Sequence, residues 1–232
     1  MTSRKQFFVL VVAQMLCVVT LIGCGSDQKS TVTGPESGRI AGSTTQPEGY
    51  PPYSFQQNVP WLSQMPPKNP NDSDLTAWSK TKNCGQTCVV MTRGYLNGAT
   101  VNTSAIEAAD RTLAGMYGAA YNPPYSAVTN TAKLVWLCQQ YGLKATASTG
   151  QTPADVVNLV ASGKVVIVGV QIGMTTSRGG HFMLLTGYDG SYLYFHDPGR
   201  SSASDGRYVK YSISQFDASW ATQGRAYVKV SR

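Results

Sequence analysis

Three side chains in this sequence could together carry nucleophilic catalysis: Cys84, His181 and Asp197. A thiol attacks a carbonyl carbon as its thiolate, so it needs an imidazole within hydrogen-bond reach to take the proton and a carboxylate to orient that imidazole. Cys84 follows Asn83 and opens an apolar stretch ending at Leu96, with Asn97-Gly98 as a stop signal. That places it in the first turn of a helix, where unpaired amides and the helix dipole favour the thiolate. The chain has only two histidines, His181 and His196, so the choice of base is narrow. His181 follows Arg178-Gly179-Gly180, where glycines let another backbone or a substrate come close, and it is the expected base. His196 is expected to be a structural residue. An acyl-transfer site also needs a donor for the developing oxyanion. Gln64, at the end of Val59-Pro60-Trp61-Leu62-Ser63-Gln64, is the candidate, beside the backbone N–H of Cys84.

Two further cysteines, Cys88 and Cys138, lie in apolar surroundings. Cys88 stands one helical turn from Cys84, too close for an unstrained disulfide within one helix. Cys88 and Cys138 are therefore expected either to bridge each other or to remain buried, inert thiols. By donor type, Cys84, Cys88, His181 and His196 would suit tetrahedral zinc. The Cys spacing of four is longer than the usual zinc knuckle, and the two histidines compete for the two faces of one hairpin. No metal and no other cofactor is expected.

The elements that must position these residues follow from periodicity and punctuation. Asn83 with Gln86 three residues on reads as a capping box for the helix that starts at Cys84. Further helices are expected over Ser104–Met116, Thr129–Tyr141 and Pro153–Ser162, the last with Thr152 as cap and Pro in its first turn. The second half changes period. Lys164–Ile172, His181–Tyr188, Tyr192–Asp197, Tyr208–Ile213 and Arg225–Val230 read as strands, with a short helix over Ser214–Ala221 and an entry strand at Val59–Gln64. Helices first and an antiparallel sheet after define an α+β domain, from about residue 53 to 232.

Within that sheet, a hairpin turning at Asp189-Gly190 brings His181 opposite Asp197 to within one residue. Cross-strand neighbours have Cβ atoms roughly 5 Å apart, close enough for Asp197 to orient the imidazole. A strict two-residue turn would put the two side chains on opposite faces, so a three-residue turn or a β-bulge is predicted.

The segments Val59–Gln64, Asn83-Cys84-Gly85, Gly180-His181-Phe182 running into Thr186–Gly190, and Asp197-Pro198 occur in the order and at the spacing that resembles papain-like cysteine peptidases of the bacteriocin-processing (double-glycine) type and their secreted relatives. The resemblance spans residues 59 to 198. It implies a papain-like fold with N-terminal helices packed on a C-terminal antiparallel sheet. It also implies Cys84 as nucleophile, His181 as general base and acid, Asp197 as orienting residue and Gln64 as oxyanion donor. Gln86-Thr87-Cys88 departs from the Pro and small residues that often follow Cys-Gly in that family. No Gly-rich phosphate loop of an export ATPase follows, so leader trimming is not implied.

The N-terminus reads as an address. Arg4 and Lys5 precede an apolar run from Phe7 to Ile22, and Leu21-Ile22-Gly23-Cys24 resembles a lipoprotein box. Residues 1–23 are then a signal peptide, and Cys24 an acylated anchor in the cell envelope, in the outer membrane if the cell has one. Residues 24–52, rich in Gly, Ser, Thr and Pro, form a flexible linker.

Composition excludes other classes. With 42% hydrophobic and 13% charged residues the chain is too apolar for intrinsic disorder. The net charge of +7 is scattered, without a basic stripe interleaved with aromatics, so no nucleic-acid partner is expected. The expected partners are a peptide or protein substrate and, through the lipid, a membrane. The reading is a cell-envelope cysteine peptidase hydrolysing peptide or isopeptide bonds. The alternatives are a peptidoglycan-peptide hydrolase or acyltransferase using the same pair, and a papain-like binding module without catalysis.

Overall fold

The computed structural model describes residues 47–64, 83–116 and 129–232. All of them belong to the second of two units into which the chain divides, residues 34–232. The expected signal peptide, Cys24 and the expected linker up to residue 46 lie outside the described residues, as do residues 65–82 and 117–128. No helix among the described residues is long and apolar enough to cross a membrane.

Three helices precede most of the sheet. Helix α1 (Cys84–Asn97) buries ten of its residues and ends where Gly98 takes the left-handed conformation, its N–H returning to the Gly94 carbonyl. Helices α2 (Thr103–Gly115) and α3 (Thr131–Gln140) start at Asn102 and Asn130, whose side chains accept the N–H groups of Ala105 and Lys133. In α2 the buried residues Ile106, Ala109, Asp110 and Leu113 recur at the period of one helix face. Helix α4 (Pro153–Ala161) carries the Thr152–Asp155 capping box with Pro in its first turn.

Seven antiparallel strands form one sheet in the order β2-β7-β3-β4-β5-β6, with β1 on β4. They are β1 (Phe55–Gln56), β2 (Lys144–Ser148), β3 (Val165–Gln171), β4 (Gly180–Tyr188), β5 (Tyr192–His196), β6 (Val209–Ser212) and β7 (Tyr227–Ser231). Short α5 (Ala203–Gly206) and the capped α6 (Ile213–Ala221) complete the chain. Central β3 is buried on both faces, which is why it reads as an unbroken β-branched run. Alternation divides it between two cores. Val165 and Ile167 join Val89, Leu134 and Leu184 under α1–α3, while Val166, Val168 and Val170 join Val156, Phe216 and Trp220 under α4 and α6. The α+β reading and the packing of the N-terminal helices on the sheet hold, and a second helical layer covers the other face.

Several local expectations are corrected. Val59–Gln64 is not a strand; the strand is Phe55–Gln56, and residues 57–64 run on outside regular structure. Pro60 cannot donate to a ladder, and the segment is pinned by scattered bonds instead: Gln57 N–H to the Thr186 carbonyl at 2.7 Å, and Gln64 N–H to the Pro198 carbonyl at 2.8 Å. Strand β2 was not expected, because Lys144-Ala145-Thr146-Ala147-Ser148 has no large apolar side chain to mark one face; its full pairing with β7 is a tertiary decision. Asn83 makes no side-chain cap of α1, and Gln86 turns away to donate to Asp110 Oδ1 at 2.6 Å, so the capping box does not form. The chain is already packed on the domain ahead of residue 53: Tyr50 stacks on Tyr188 with ring centroids 5.2 Å apart, and Asn158 donates to the Gly49 carbonyl.

The bulge predicted for the hairpin is present. Tyr188 pairs with Leu193 and Gly187 with Tyr194, but past Thr186 the register steps, so that Leu185 pairs with Phe195 and Leu184 with His196. One unpaired residue reverses which face each later side chain takes. Carried one residue further, the shifted register sets Asp197 across from Met183. His181 is two residues from Met183, on the same side. The pair is therefore diagonal, not directly opposite as expected, because the turn is centred on Gly190-Ser191 and not on Asp189-Gly190, with Asp189 N–H on the Tyr192 carbonyl at 3.1 Å.

Candidate active site

Cys84 and His181 come from opposite ends of the chain's architecture, the first residue of α1 and the second of β4, yet they meet. His181 is 8% exposed and Cys84 also 8%, enough for a substrate to reach and too little for bulk water to surround them. His181 Nε2 lies 2.7 Å from Asp197 Oδ1, and the ring also hydrogen-bonds the Cys84 side chain. With Nε2 committed to the carboxylate, Nδ1 is the nitrogen left for the thiol. Burial alone would lower the proton affinity of His181. The bonds to Asp197 and Cys84 and the charges on both outweigh it and push the pKa up to about 9. Burial likewise raises Asp197, but its bond to His181, the imidazolium charge, the Gly199 N–H and Arg200 win, holding the carboxyl below its ordinary range.

Asp197 is held by groups that sequence reasoning did not single out. Gly199 N–H donates to Oδ1 at 2.8 Å and Arg200 Nε to Oδ2 at 3.1 Å, while Trp61 Nε1 donates to the Asp197 carbonyl at 3.1 Å. A Cβ on Gly199 would come within 3.1 Å of both Asp197 Oδ1 and His181 Cε1, so that glycine lets the turn lie flat over the pair. Pro198-Gly199 is a turn signal that could have found this loop, though nothing local marks its contact with the imidazole.

Gln64 sits at the end of the pinned segment. Its N–H is bound to Pro198, Ser63 Oγ donates to the Arg200 carbonyl at 2.6 Å, and the Gln64 side chain is buried with Oε1 lacking a partner among the described residues. The segment that carries Gln64 and the turn that carries Asp197 are therefore one structure. Gln64 does not line the cavity beside Cys84.

The remaining candidates have structural places. His196 is fully buried; its Nε2–H donates to the Val59 carbonyl at 2.8 Å and its Nδ1 accepts Tyr208 N–H at 3.2 Å. Burial holds its pKa down at about 4, so the ring stays neutral as both bonds require. Among the described residues no group of three or more His, Cys, Asp or Glu could hold a metal. Cys88 and Cys138 are free rather than bridged, both fully buried, with Cys88 Sγ on the Phe182 carbonyl at 3.5 Å. Burial pushes the Cys138 thiol up to about 12 and Cys88 well above its ordinary value. Both should resist a thiol reagent in the folded chain and react once each in denaturant, as mapped by peptide mass spectrometry. A disulfide-linked Cys88–Cys138 peptide in a non-reduced digest would contradict this placement.

A thiol at a helix start, an imidazole at a strand start and a carboxylate at the end of the next strand, on helices packed against an antiparallel sheet, define the papain-like cysteine peptidase fold. The chain belongs to the Peptidase_C39 like family, whose pattern matches residues 56–228. Among solved structures it is similar to one described as a putative C39-like peptidase from Bacillus anthracis, at 19% identity and a TM-score of 0.53, covering 75% of this chain and 95% of that one. It is also similar to a double glycine motif protease from an AMS/PCAT transporter in complex with the leader peptide, at 18% identity and a TM-score of 0.45, covering 76% and 94%. A further similarity, at 14% identity and a TM-score of 0.45 over 74% and 97%, is to the peptidase domain of Streptococcus ComA, a bi-functional ABC transporter. No curated protein matches the sequence.

Proposed function

We propose that this chain is a cysteine peptidase that cleaves peptide bonds in peptide or protein substrates through a thioester on Cys84, acting in the cell envelope on a lipid anchor at Cys24. The observation that carries this reading is the buried line of hydrogen bonds from Cys84 through His181 to Asp197. In the reaction the Cys84 sulfur, its proton on His181, attacks the substrate carbonyl carbon and forms a C–S bond. The carbonyl π pair moves to oxygen, where the backbone N–H of Cys84 and the side-chain amide of Gln64 would receive it. The intermediate collapses, the C–N bond breaks, and His181 gives its proton to the leaving amine. Water then attacks the thioester as His181 takes its proton; the C–S bond breaks, the acid departs and the Cys84–His181 pair is restored. Asp197 keeps the imidazole in one tautomer and stabilises its charge throughout. The envelope location rests on Arg4-Lys5, the apolar run and Leu21-Ile22-Gly23-Cys24.

A peptidyl chloromethyl ketone tests the nucleophile directly, because it alkylates a cysteine only where a peptide binds beside an activated sulfur. The expected product is a single adduct on Cys84, formed at least roughly 100-fold more slowly with His181→Ala. Adducts on Cys88 or Cys138, or an unchanged rate in the variant, would sink the assignment.

A further inference from the structure

Cations dispersed along the sequence meet at one end of the sheet. Lys144 on β2 pairs with Ser231 on β7, and Thr146 with Lys229, so both lysines lie on one face of the two strands, opposite the face that carries Ala145, Val228 and Val230 into the core. Together with Thr146 and Ser231 they line an open depression of about 440 Å³. A second depression, of about 250 Å³, shares Ser231 and adds Lys164 and Arg232. The described lining of neither includes an Asp or Glu.

Folding does not account for this arrangement. Helices α1 and α3 and strands β2, β3 and β7 contain no acidic residue. The ion pairs among the described residues use Glu107, Asp189, Asp197 and Asp217, and none includes Lys144, Lys164, Lys229 or Arg232. A lysine on an edge strand such as β2 guards against pairing with another chain. Lys229 has no such use, because β7 lies between β2 and β3. Like charges gathered without counter-ions repel one another, and an anionic partner would relieve that cost. This end of the sheet is also remote from the chemistry. Val165 of β3 pairs with Val230 there, whereas Gln171, at the other end of β3, pairs with Gly180 beside His181. At a strand's rise the two ends are about 20 Å apart.

We propose that the end of the sheet carrying Lys144, Lys164, Lys229 and Arg232 is a docking surface for an anionic phospholipid bilayer. A bilayer presents many phosphates in one plane, which matches cations spread over two open depressions, and each Lys or Arg near such a surface strengthens attachment by roughly fivefold. Docked at this end, the domain keeps the Cys84 end of the sheet away from the lipid and open to substrate. The proposal rests on the envelope reading of the N-terminus and adds which face of the domain meets the membrane.

The test uses the full chain on two kinds of vesicle, phosphatidylcholine alone and phosphatidylcholine mixed with phosphatidylglycerol, with lysine acetylation mapped by peptide mass spectrometry. Lys144, Lys164 and Lys229 should be acetylated at least about fivefold more slowly on the anionic vesicles, and the difference should vanish in about 0.5 M salt. Lys133, in the first turn of α3 next to residues that line the Cys84 cavity, should be acetylated equally on both. Lys144→Gln combined with Lys229→Gln should remove the protection of Lys164 while keeping the wild-type Tm, so misfolding cannot account for the loss. Equal acetylation on the two lipids, or protection that persists in high salt, overturns the proposal. Equal protection by a single-stranded oligonucleotide at the same phosphate concentration overturns the bilayer as the occupant. Flotation with phosphatidylcholine vesicles reports the N-terminal anchor by itself. A chain that does not float with them but is protected on the anionic vesicles keeps this surface and overturns the anchor. One that floats with both and is protected on neither keeps the anchor and overturns the surface.

Discussion

The chain carrying His181→Ala is expected to lose peptide hydrolysis by at least roughly 10⁴-fold in kcat/KM, since removing one member of a nucleophile–base pair costs about as much as removing both. The expectation follows from the geometry. The described residues offer no substitute base, because His196 is fully buried and both of its nitrogens are engaged by Val59 and Tyr208. Asp197→Asn should cost less: an amide oxygen can still accept the Nε2–H bond but carries no charge to favour the imidazolium. The two variants also differ in what pH does. His181 in the wild type holds its proton up to about pH 9, so the alkaline limb of kcat/KM should lie near there, well above the 6.5 of free imidazole. With Asp197→Asn that limb should move down. The same raised affinity is a stability contribution, fully present below about pH 6.5 and lost as pH rises through about 9. Full activity in His181→Ala, or an alkaline limb that ignores Asp197→Asn, would refute the triad.

Asp110→Asn is expected to stabilise the protein at pH 8 by as much as a few kcal/mol, using about 1.4 kcal/mol per unit of pKa displacement as the scale. Asp110 is 1% exposed on α2, and its Oδ1 receives the Gln86 amide while Oδ2 has no partner among the described residues. Burial raises its pKa to about 7, against the lowering effect of Gln86 and with a smaller push from the charge of Glu107. The folded chain therefore keeps a proton that the unfolded chain has already lost between about pH 3.8 and 7. Over that window the wild type loses stability as pH rises, and above it the loss is complete. Asparagine offers the same acceptor to Gln86 with no charge to bury. Thermal melts of the two chains should differ in Tm at pH 8 and converge toward pH 5. A gap of equal size at both values would show that the carboxylate's ionisation is not its cause. Gln86 stands two residues after Cys84 on α1, so the same melts, paired with activity, report whether ionisation of Asp110 reaches Cys84.

The sequence by itself determined which elements carry the candidate residues, because each element rests on local rules. A Cys opening an apolar stretch after Asn83, a His following two glycines, and capped helices at Asn102, Asn130, Thr152 and Ser212 are set by propensity and by hydrogen bonds that span a turn or less. The bulge at Thr186 was legible for a different reason: a strand's period of two allows His181 and Asp197 to share a face only if one residue is left over. What tertiary structure alone decided involves partners distant in the chain. Strand β2 exists because β7 offers it a ladder, not because Ala145 and Ala147 ask for one. The capping box at Asn83 failed because Asp110, 24 residues beyond Gln86, claimed its amide. Trp61, Gly199 and Arg200 close around Asp197 through a segment that no pattern marked as its neighbour. The cavity beside Cys84 is the extreme case, since Gly169, Ile172, Phe182 and Ala226 meet only when three strands are in register. A local pattern specifies which way a side chain points from its own element, whereas the space left among several elements depends on how all of them pack.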